Sequence, residues 1–370
     1  MVYLDCSDNL IDNFVYPPNL KYLDCSNSLA DAPFGAFPTF PTSLETLIAS
    51  GNSARGTGIP FTANLKYIDV SNNYMTSLPA LPAGLQTLIC SGQGEPSAGR
   101  LMSLPALPSG LQYLDCSDNQ ISSLPVLPPS LKTLICSNNL RWVNPEDYEP
   151  VLSALPALPS SLEFLDCSGN RISVLPPLPS SLTSLNCSGQ RHFLGDIYIS
   201  PINPNQLFSA GLSVLPDLPD ALTVLICDQN NLTDLPSPLP SQLQYLSCSE
   251  NVYTWDTAIP SAGIACIPRL PQGITYVDVE ATLVNCLPNS GNYSVVPALP
   301  LCNPFNNVNQ CVSSPVISGN VFYDNNSNGV KDPEENFRAN VRASLSNGLE
   351  SYSNAQGYYE FSADLGNFTV

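Results

Sequence analysis

The chain has 370 residues, 43% of them hydrophobic, and 31 acidic against 12 basic side chains give it a net charge of −19. That balance argues against nucleic acid and anionic membrane as partners, since both are held by clustered Lys and Arg. The 37 prolines fall mostly at one phase of a repeat, which marks structure rather than disorder, and no apolar run of about 18 residues is present to form a membrane-spanning helix.

Met1 opens directly on VYLDC, in the middle of a repeat, without the basic start and apolar run of a signal peptide. The chain is therefore expected to be a fragment whose targeting signal lies upstream. From there a module recurs about a dozen times, with Leu104 to Ser123 (LPALPSGLQYLDCSDNQISS) as its clearest copy. A module of about 20 residues repeated this often is the signature of a stacked solenoid. In LxxLxC, Leu111, Leu114 and Cys116 point inward from a short strand while Tyr113 and Asp115 point out, as a two-residue side-chain period requires. Asn119 follows at a turn, where a buried amide can bond the free backbone groups of neighbouring turns. The prolines of LPVLP at 124–128 then fix φ and remove donors, so the return is extended polyproline-like chain and not helix. Such a unit buries its apolar face only between neighbours of its own kind.

Twelve strand segments align on Cys6, Cys25, Ala49, Val70, Cys90, Cys116, Cys136, Cys167, Cys187, Cys227, Cys248 and Val279. This unit resembles the short bacterial leucine-rich repeat, the LPxLP class of secreted effectors and surface proteins of Gram-negative bacteria. The resemblance covers residues 1 to about 300 and implies a horseshoe-like solenoid with a parallel sheet on its concave side. Some effectors of this class carry a ubiquitin-ligase domain after the repeats; nothing of that size follows here, so that activity is not carried over.

From Cys90 onward, short turns alternate with longer ones, and the extra residues enter after the asparagine position, leaving the solenoid along one edge. These insertions hold Trp142, Tyr148, His192, Phe193, Tyr198, Phe208, Tyr253 and Trp255. With parallel turns about 4.8 Å apart, insertions from every second turn lie roughly 10 Å apart and can form a ridge of aromatic anchors; individually they can equally pin long loops to the solenoid. On the concave face, Tyr-x-Asp occurs at Tyr3/Asp5, Tyr22/Asp24, Tyr67/Asp69, Tyr113/Asp115 and Tyr276/Asp278, with Phe164/Asp166 close to it, and Thr-x-Ile occurs at Thr87/Ile89 and Thr133/Ile135. The expected surface is an acidic, tyrosine-bearing strip broken by apolar lanes, suited to sugars, cations or a basic protein surface. Solubility of an exposed sheet explains any single position as well. Candidate ligand contacts are Tyr67, Asp69, Tyr113, Asp115, Phe164, Asp166, Trp142, His192 and Trp255.

Nine of the 13 cysteines occupy the inward ladder slot, where Ala49, Val70 and Val279 substitute, so the slot asks for a small apolar side chain and reduced thiols are expected there. Of the remaining four, Cys302 and Cys311 bracket the segment where the repeat stops, and a bridge between them is the first choice for closing the solenoid end, with Cys266 to Cys286 second.

Residues 1–312 are thus read as the solenoid with its capping segment, and 313–370 as a separate all-β piece. GNVFYD, DNNSNGVKDPEE, a strand ending at SNG, and NAQGYYEFSADLGNFTV resemble the start of the B-type β-sandwich domains of Sdr-type and collagen-adhesin surface proteins. The resemblance implies a partial sandwich that acts as a stalk and continues past residue 370. Inside it, Asp324, Asn326, Asn328, Gly329, Asp332 and Glu335 match D-x-[DN]-x-[DN]-G-x5-E, with the carbonyl of Val330 at the seventh loop position. An oxygen cage of this kind suits calcium as a structural clip; the other reading is an Asx-rich turn.

No enzyme is expected. His192 stands alone in a variable insertion, no nucleophile motif accompanies it, and an open sheet gives little of the burial that raises a carboxyl pKa. The expected function is an exported bacterial surface adhesin that holds a protein or glycan on its concave sheet and edge insertions; the alternatives are a secreted effector that docks a host protein and a binding arm of a larger enzyme.

Overall fold

The middle residue of each strand decides the architecture. It is Leu, Ile or Val in every copy of the module, and buried from Leu23 through Val277, so each strand has one face that must be covered by its neighbours. The computed structural model describes residues 2–9, 15–28, 39–56, 59–94, 100–144, 147–191, 211–253, 262–302, 316–329, 331–344, 350–353 and 357–362. They fall into two units: Met1–Ala265 with Pro271–Leu283 and Asn292–Ala298, and Cys266–Leu270 with Val284–Gly291 and Leu299–Val370.

The first unit is one sheet of 13 parallel strands. In order they are Tyr3–Asp5, Tyr22–Asp24, Thr46–Ile48, Tyr67–Asp69, Thr87–Ile89, Tyr113–Asp115, Thr133–Ile135, Phe164–Asp166, Ser184–Asn186, Val224–Ile226, Tyr245–Ser247, Tyr276–Asp278 and Ser294–Val296. Each pairs with the next, first residue to first residue, so every position of the module becomes a straight column across the sheet. The continuous sheet expected from the sequence is present. It runs one strand further than the twelve expected, because Ser294–Val296 joins its edge without a leucine in the inner slot.

Two features close each turn. On the return side, the second proline of LPxLP offers its carbonyl to the leucine three residues on, as in Pro108 to Leu111, Pro128 to Leu131 and Pro159 to Leu162, each at 3.1 Å. Proline has no N–H to satisfy and its fixed φ suits this position. No helix occurs among the described residues. On the opposite corner, Asn119 donates Nδ2 to the carbonyls of Cys90, Cys116 and Ser117 at 3.0, 3.1 and 3.0 Å, and its Oδ1 accepts the Gln93 N–H at 3.3 Å. Asn52, Asn73, Asn139, Asn170, Asn230 and Asn251 are buried in the same slot, with Gln93 and Gln190 as longer substitutes. Preceding them, Asp118, Asn138 and Gly169 hold the left-handed φ the corner needs (54°, 53° and 62°).

Between these corners lie Leu111, Leu114 and Cys116, all fully buried, with Leu124 and Leu127 on the return side. Each such leucine contributes about 1.5–3 kcal/mol when covered. The nine ladder cysteines are free thiols, eight of them buried. A further stitch was not legible beforehand: Ser130 Oγ reaches the carbonyls of Ser109 and Leu111 in the preceding turn at 2.8 and 2.6 Å, and Ser161 and Ser181 do the same one turn on.

In the second unit, Leu287 donates its N–H to the carbonyl of Pro300 at 2.8 Å and Cys302 donates to Leu287 at 2.9 Å. This pairing sets Cys286 and Cys302 at 4.8 Å between Cα atoms, and they form a disulfide. The expected Cys302–Cys311 bridge is therefore wrong, as is Cys266–Cys286. Nearness in sequence suggested a local loop closure, whereas backbone pairing brings Cys286 to Cys302. Cys266 is also disulfide-bonded, and Cys311 lies outside the described residues. Further on, Val316–Asn320 pairs antiparallel with Tyr358–Ser362, and Arg342–Ser344 with Glu350–Tyr352.

Candidate functional site on the solvent face of the sheet

From the second strand to the seventh, the first and third residues face away from the core and are half-buried against their neighbours. In-register pairing turns them into two columns. From the second strand to the eighth the first column reads Tyr22, Thr46, Tyr67, Thr87, Tyr113, Thr133, Phe164, and the third reads Asp24, Ile48, Asp69, Ile89, Asp115, Ile135, Asp166. An aromatic–carboxylate lane thus alternates with a Thr–Ile lane across seven strands. The buried column between them is Leu or Ile throughout and does not alternate, so packing underneath does not impose the pattern.

Every aspartate in these lanes is held in place. Its Oδ1 accepts the N–H and the O–H of the serine two residues on, at 3.0 and 2.6 Å for Asp115 with Ser117 and at 3.0 and 2.7 Å for Asp166 with Ser168. Asp24 and Asp69 are clasped alike by Ser26 and Ser71. The second oxygen, Oδ2, accepts no hydrogen bond among the described residues and is left as an acceptor. Burial, and then the neighbouring carboxylates, push the Tyr67 and Tyr113 phenols up, so both remain hydrogen-bond donors. Tyr3 and Tyr22 stack at 4.2 Å between centroids, and Tyr245 and Tyr276 at 4.7 Å. Beside the columns, Glu45 is clamped between Lys21 and Lys66 at 2.8 Å each, and these partners hold its carboxyl down to about 2.

One turn departs from the rule. Asp228 occupies the serine position of its turn, and on the next strand Ser247 occupies the aspartate position. The clasp survives with its partners exchanged across the strands: Ser247 Oγ and the Ser249 N–H donate to Asp228 Oδ1 at 2.6 and 2.7 Å. Burial raises the Asp228 carboxyl, the hydrogen bonds opposing it in part.

The structure therefore sets Tyr67, Asp69, Tyr113, Asp115, Phe164 and Asp166 on one face, with Phe164 37% exposed. Trp142 lies in Leu140–Asn144, which pairs antiparallel with Asp147–Pro150 and sets Trp142 opposite Tyr148 along the backbone. This insertion leaves and rejoins the solenoid at one residue, Val151 donating to the Asn139 carbonyl at 2.9 Å. His192 and Trp255 lie outside the described residues.

In the loop of the second unit, Asp324 accepts the N–H groups of Asn328 and Gly329 at 3.1 and 2.8 Å, and Asn326 and Asn328 donate their amides to Asp332 Oδ2 at 2.7 and 2.8 Å. Buried Glu335 accepts from the Asn325 and Asp332 N–H groups. The side-chain oxygens of Asp324, Asn326, Asn328, Asp332 and Glu335 lie in one loop, which these hydrogen bonds close on itself. Among the described residues no three His, Cys, Asp or Glu side chains form a ready-made metal cluster, and Val330 lies outside them.

Residues 110–134 and 161–185 match the family model described as Leucine Rich Repeat. No curated protein matches the sequence. Among solved structures, YopM from Yersinia enterocolitica WA-314 is 31% identical with a TM-score of 0.51, covering 77% of this chain and 54% of its own. The leucine-rich effector protein YopM from Yersinia pestis is 28% identical with a TM-score of 0.53, covering 77% of this chain and 70% of its own. The chain thus spans about half the length of the first of these. Register, asparagine corner and extended return, together with these matches, identify the first unit as a parallel-strand leucine-rich-repeat solenoid similar to bacterial ones.

Proposed function

We propose that the chain is the ligand-holding part of an exported bacterial surface protein, an adhesin whose solenoid binds a protein partner across the solvent face of its sheet. The observation that carries this reading is the alternation of clasped Tyr–Asp lanes with Thr–Ile lanes over seven strands. Solubility asks only for polar residues, in no particular order. Fixed carboxylates beside amphipathic rings are what a binding surface uses to spend little entropy on association. A second reading, an effector released to dock a host protein, is favoured by the similarity to YopM, which is described as an effector. The segment from 313 onward serves in the first reading as the start of a stalk, with calcium held by the Asp324–Glu335 loop as a structural clip. Trp142, His192 and Trp255 would add anchors along the edge, and a surface glycan is the other ligand class.

The test uses a double variant that imports a neighbouring lane. Tyr113→Thr with Asp115→Ile reproduces the Thr133/Ile135 lane one strand away and so keeps the solenoid. Wild type and variant are applied to arrays of host proteins and glycans, with calcium and with chelator. Protein signals that fall at least tenfold in the variant support the reading. Signals of equal strength refute it.

A further inference from the structure

The lanes have a period as well as a chemistry. Adjacent strands of a sheet lie about 4.8 Å apart, so like lanes on every second strand recur about every 9.6 Å. A polyproline II helix has three residues per turn and a 3.1 Å rise, hence a repeat of about 9.3 Å. Laid across the strands, it would present residues i, i+3, i+6 and i+9 to four successive aromatic lanes and slip by only about 1 Å from end to end. An α-helix returns to the same face after two turns and about 10.8 Å, a slip near 4 Å over the same lanes. An extended strand reaches about 10 Å in three residues, which turns alternate side chains away from the face.

Charge narrows the ligand further. Beside each ring, two residues along the strand and so roughly 7 Å away, stands an aspartate whose Oδ2 accepts no hydrogen bond among the described residues. The serine clasp fixes it before any ligand arrives. The intervening Thr–Ile lanes carry no charge. Aromatic grooves recognise polyproline II segments because that conformation is already formed and costs little ordering entropy, and carboxylates at the same period select guanidinium or ammonium groups.

We propose that the solvent face from Tyr22 to Asp166 is a docking track for a proline-rich, basic segment in polyproline II conformation, with prolines on the rings of Tyr67, Tyr113 and Phe164 and a cationic side chain from each turn on Asp69, Asp115 and Asp166. This rests on the reading of that face as a protein-binding surface and names its ligand. A partner surface with Arg or Lys at every third residue fits it.

The probe is a synthetic peptide of four consecutive Pro-Pro-Arg triplets, measured by fluorescence anisotropy against the intact chain. Four Gly-Gly-Arg triplets carry the same charge at the same spacing without the preformed helix. The expected result is saturable binding of the proline peptide, at least tenfold weaker binding of the glycine peptide, and about tenfold loss in the Tyr113→Thr/Asp115→Ile variant. Circular dichroism of that variant confirms an unchanged fold. Equal binding of the two peptides, binding indifferent to the variant, or tighter binding of a chitosan oligosaccharide through the same lanes overturns the proposal. Failure of the proline peptide while array proteins still depend on the Tyr113/Asp115 lane overturns this ligand assignment alone and leaves the binding surface in place.

Discussion

Replacing Asn119 separates the work of the asparagine corner from the work of the core. In Asn119→Ala the buried N–H of Gln93 loses its acceptor, bonded at 3.3 Å, which costs about 1–3 kcal/mol. The carbonyls of Cys90 and Cys116 fare better, because Gln93 Nε2 and Asn139 Nδ2 already approach them at 3.4 Å. The missing amide leaves a void worth about another 1 kcal/mol. The expected loss is about 2–4 kcal/mol, a large share of a domain's total stability. Asn119→Gln makes the substitution the chain itself carries at Gln93, where Nε2 donates to the Val70 carbonyl at 2.6 Å and Oε1 accepts from Met75 at 3.1 Å; it should cost about 1 kcal/mol or less. Asn119→Asp turns an acceptor toward three carbonyl oxygens and should exceed alanine. Urea unfolding followed by circular dichroism gives the order, read from the midpoint with the slope checked for loss of cooperativity along the array. Glutamine as harmful as alanine, or alanine below about 1 kcal/mol, would show that backbone pairing alone closes the corner.

Two further outcomes follow from the electrostatics. Burial pushes the ladder thiols up, Cys25 and Cys187 to about 12, so iodoacetamide at pH 8 should leave Cys90, Cys116, Cys136 and Cys167 unlabelled in the native protein and modify all of them in urea, as read by mass spectrometry; labelling of these four without denaturant would mean that the core opens locally. Glu45 is half-buried, with 32% of its side chain exposed, and its two lysines lower its carboxyl from the ordinary 4.5 to about 2. A depressed carboxyl contributes stability above the unfolded value and loses it as pH falls through the folded one. Glu45→Gln should therefore flatten the decline of the urea midpoint between those two pH values, and added salt should erase the difference.

The inward half of the structure was legible because its rule is local. Leu111, Leu114 and Cys116 alternate with outward residues at the strand period, and the asparagine and LPxLP fix where each turn begins and ends. Ser294–Val296 escaped that rule, being recruited by pairing with the strand before it and not by a buried leucine. The Cys286–Cys302 bridge escaped it too, since the choice among four cysteines depends on which backbone segments lie side by side. Serines such as Ser130 and Ser161 read in sequence as ordinary turn residues after proline, and only stacking shows them bonded to the turn before. On the outward face the Tyr-x-Asp and Thr-x-Ile strings were visible one by one. Their alternation became a surface only once the seven strands from Tyr22–Asp24 to Phe164–Asp166 were aligned without a register slip.

The exchanged clasp at Asp228 and Ser247 allows a direct test of whether the outward hydrogen bonds act as a unit. In sequence the position looks like a lost acidic lane, because Ser247 follows Tyr245 where Tyr-x-Asp would place an aspartate. In space the carboxylate has moved one strand over and still accepts the Ser249 N–H at 2.7 Å. Asp228→Ser alone removes a charged acceptor from two donors, at a cost of about 1.5–3 kcal/mol, offset in part by release of a half-buried carboxylate. Ser247→Asp alone sets a second carboxylate against Asp228, and like charges at hydrogen-bond distance drive one of them to protonate. Together the two changes rebuild the ordinary arrangement of Asp115 with Ser117, now as residue 247 with Ser249. The double variant should recover to within about 1 kcal/mol of wild type, a coupling of about 2–3 kcal/mol between residues on adjacent strands. Four urea titrations at neutral pH complete the cycle. Additive losses would mean that the two positions are independent and that the clasp at this turn contributes nothing as a pair; recovery would mean that the face is built to keep one fixed carboxylate at this place, whichever strand supplies it.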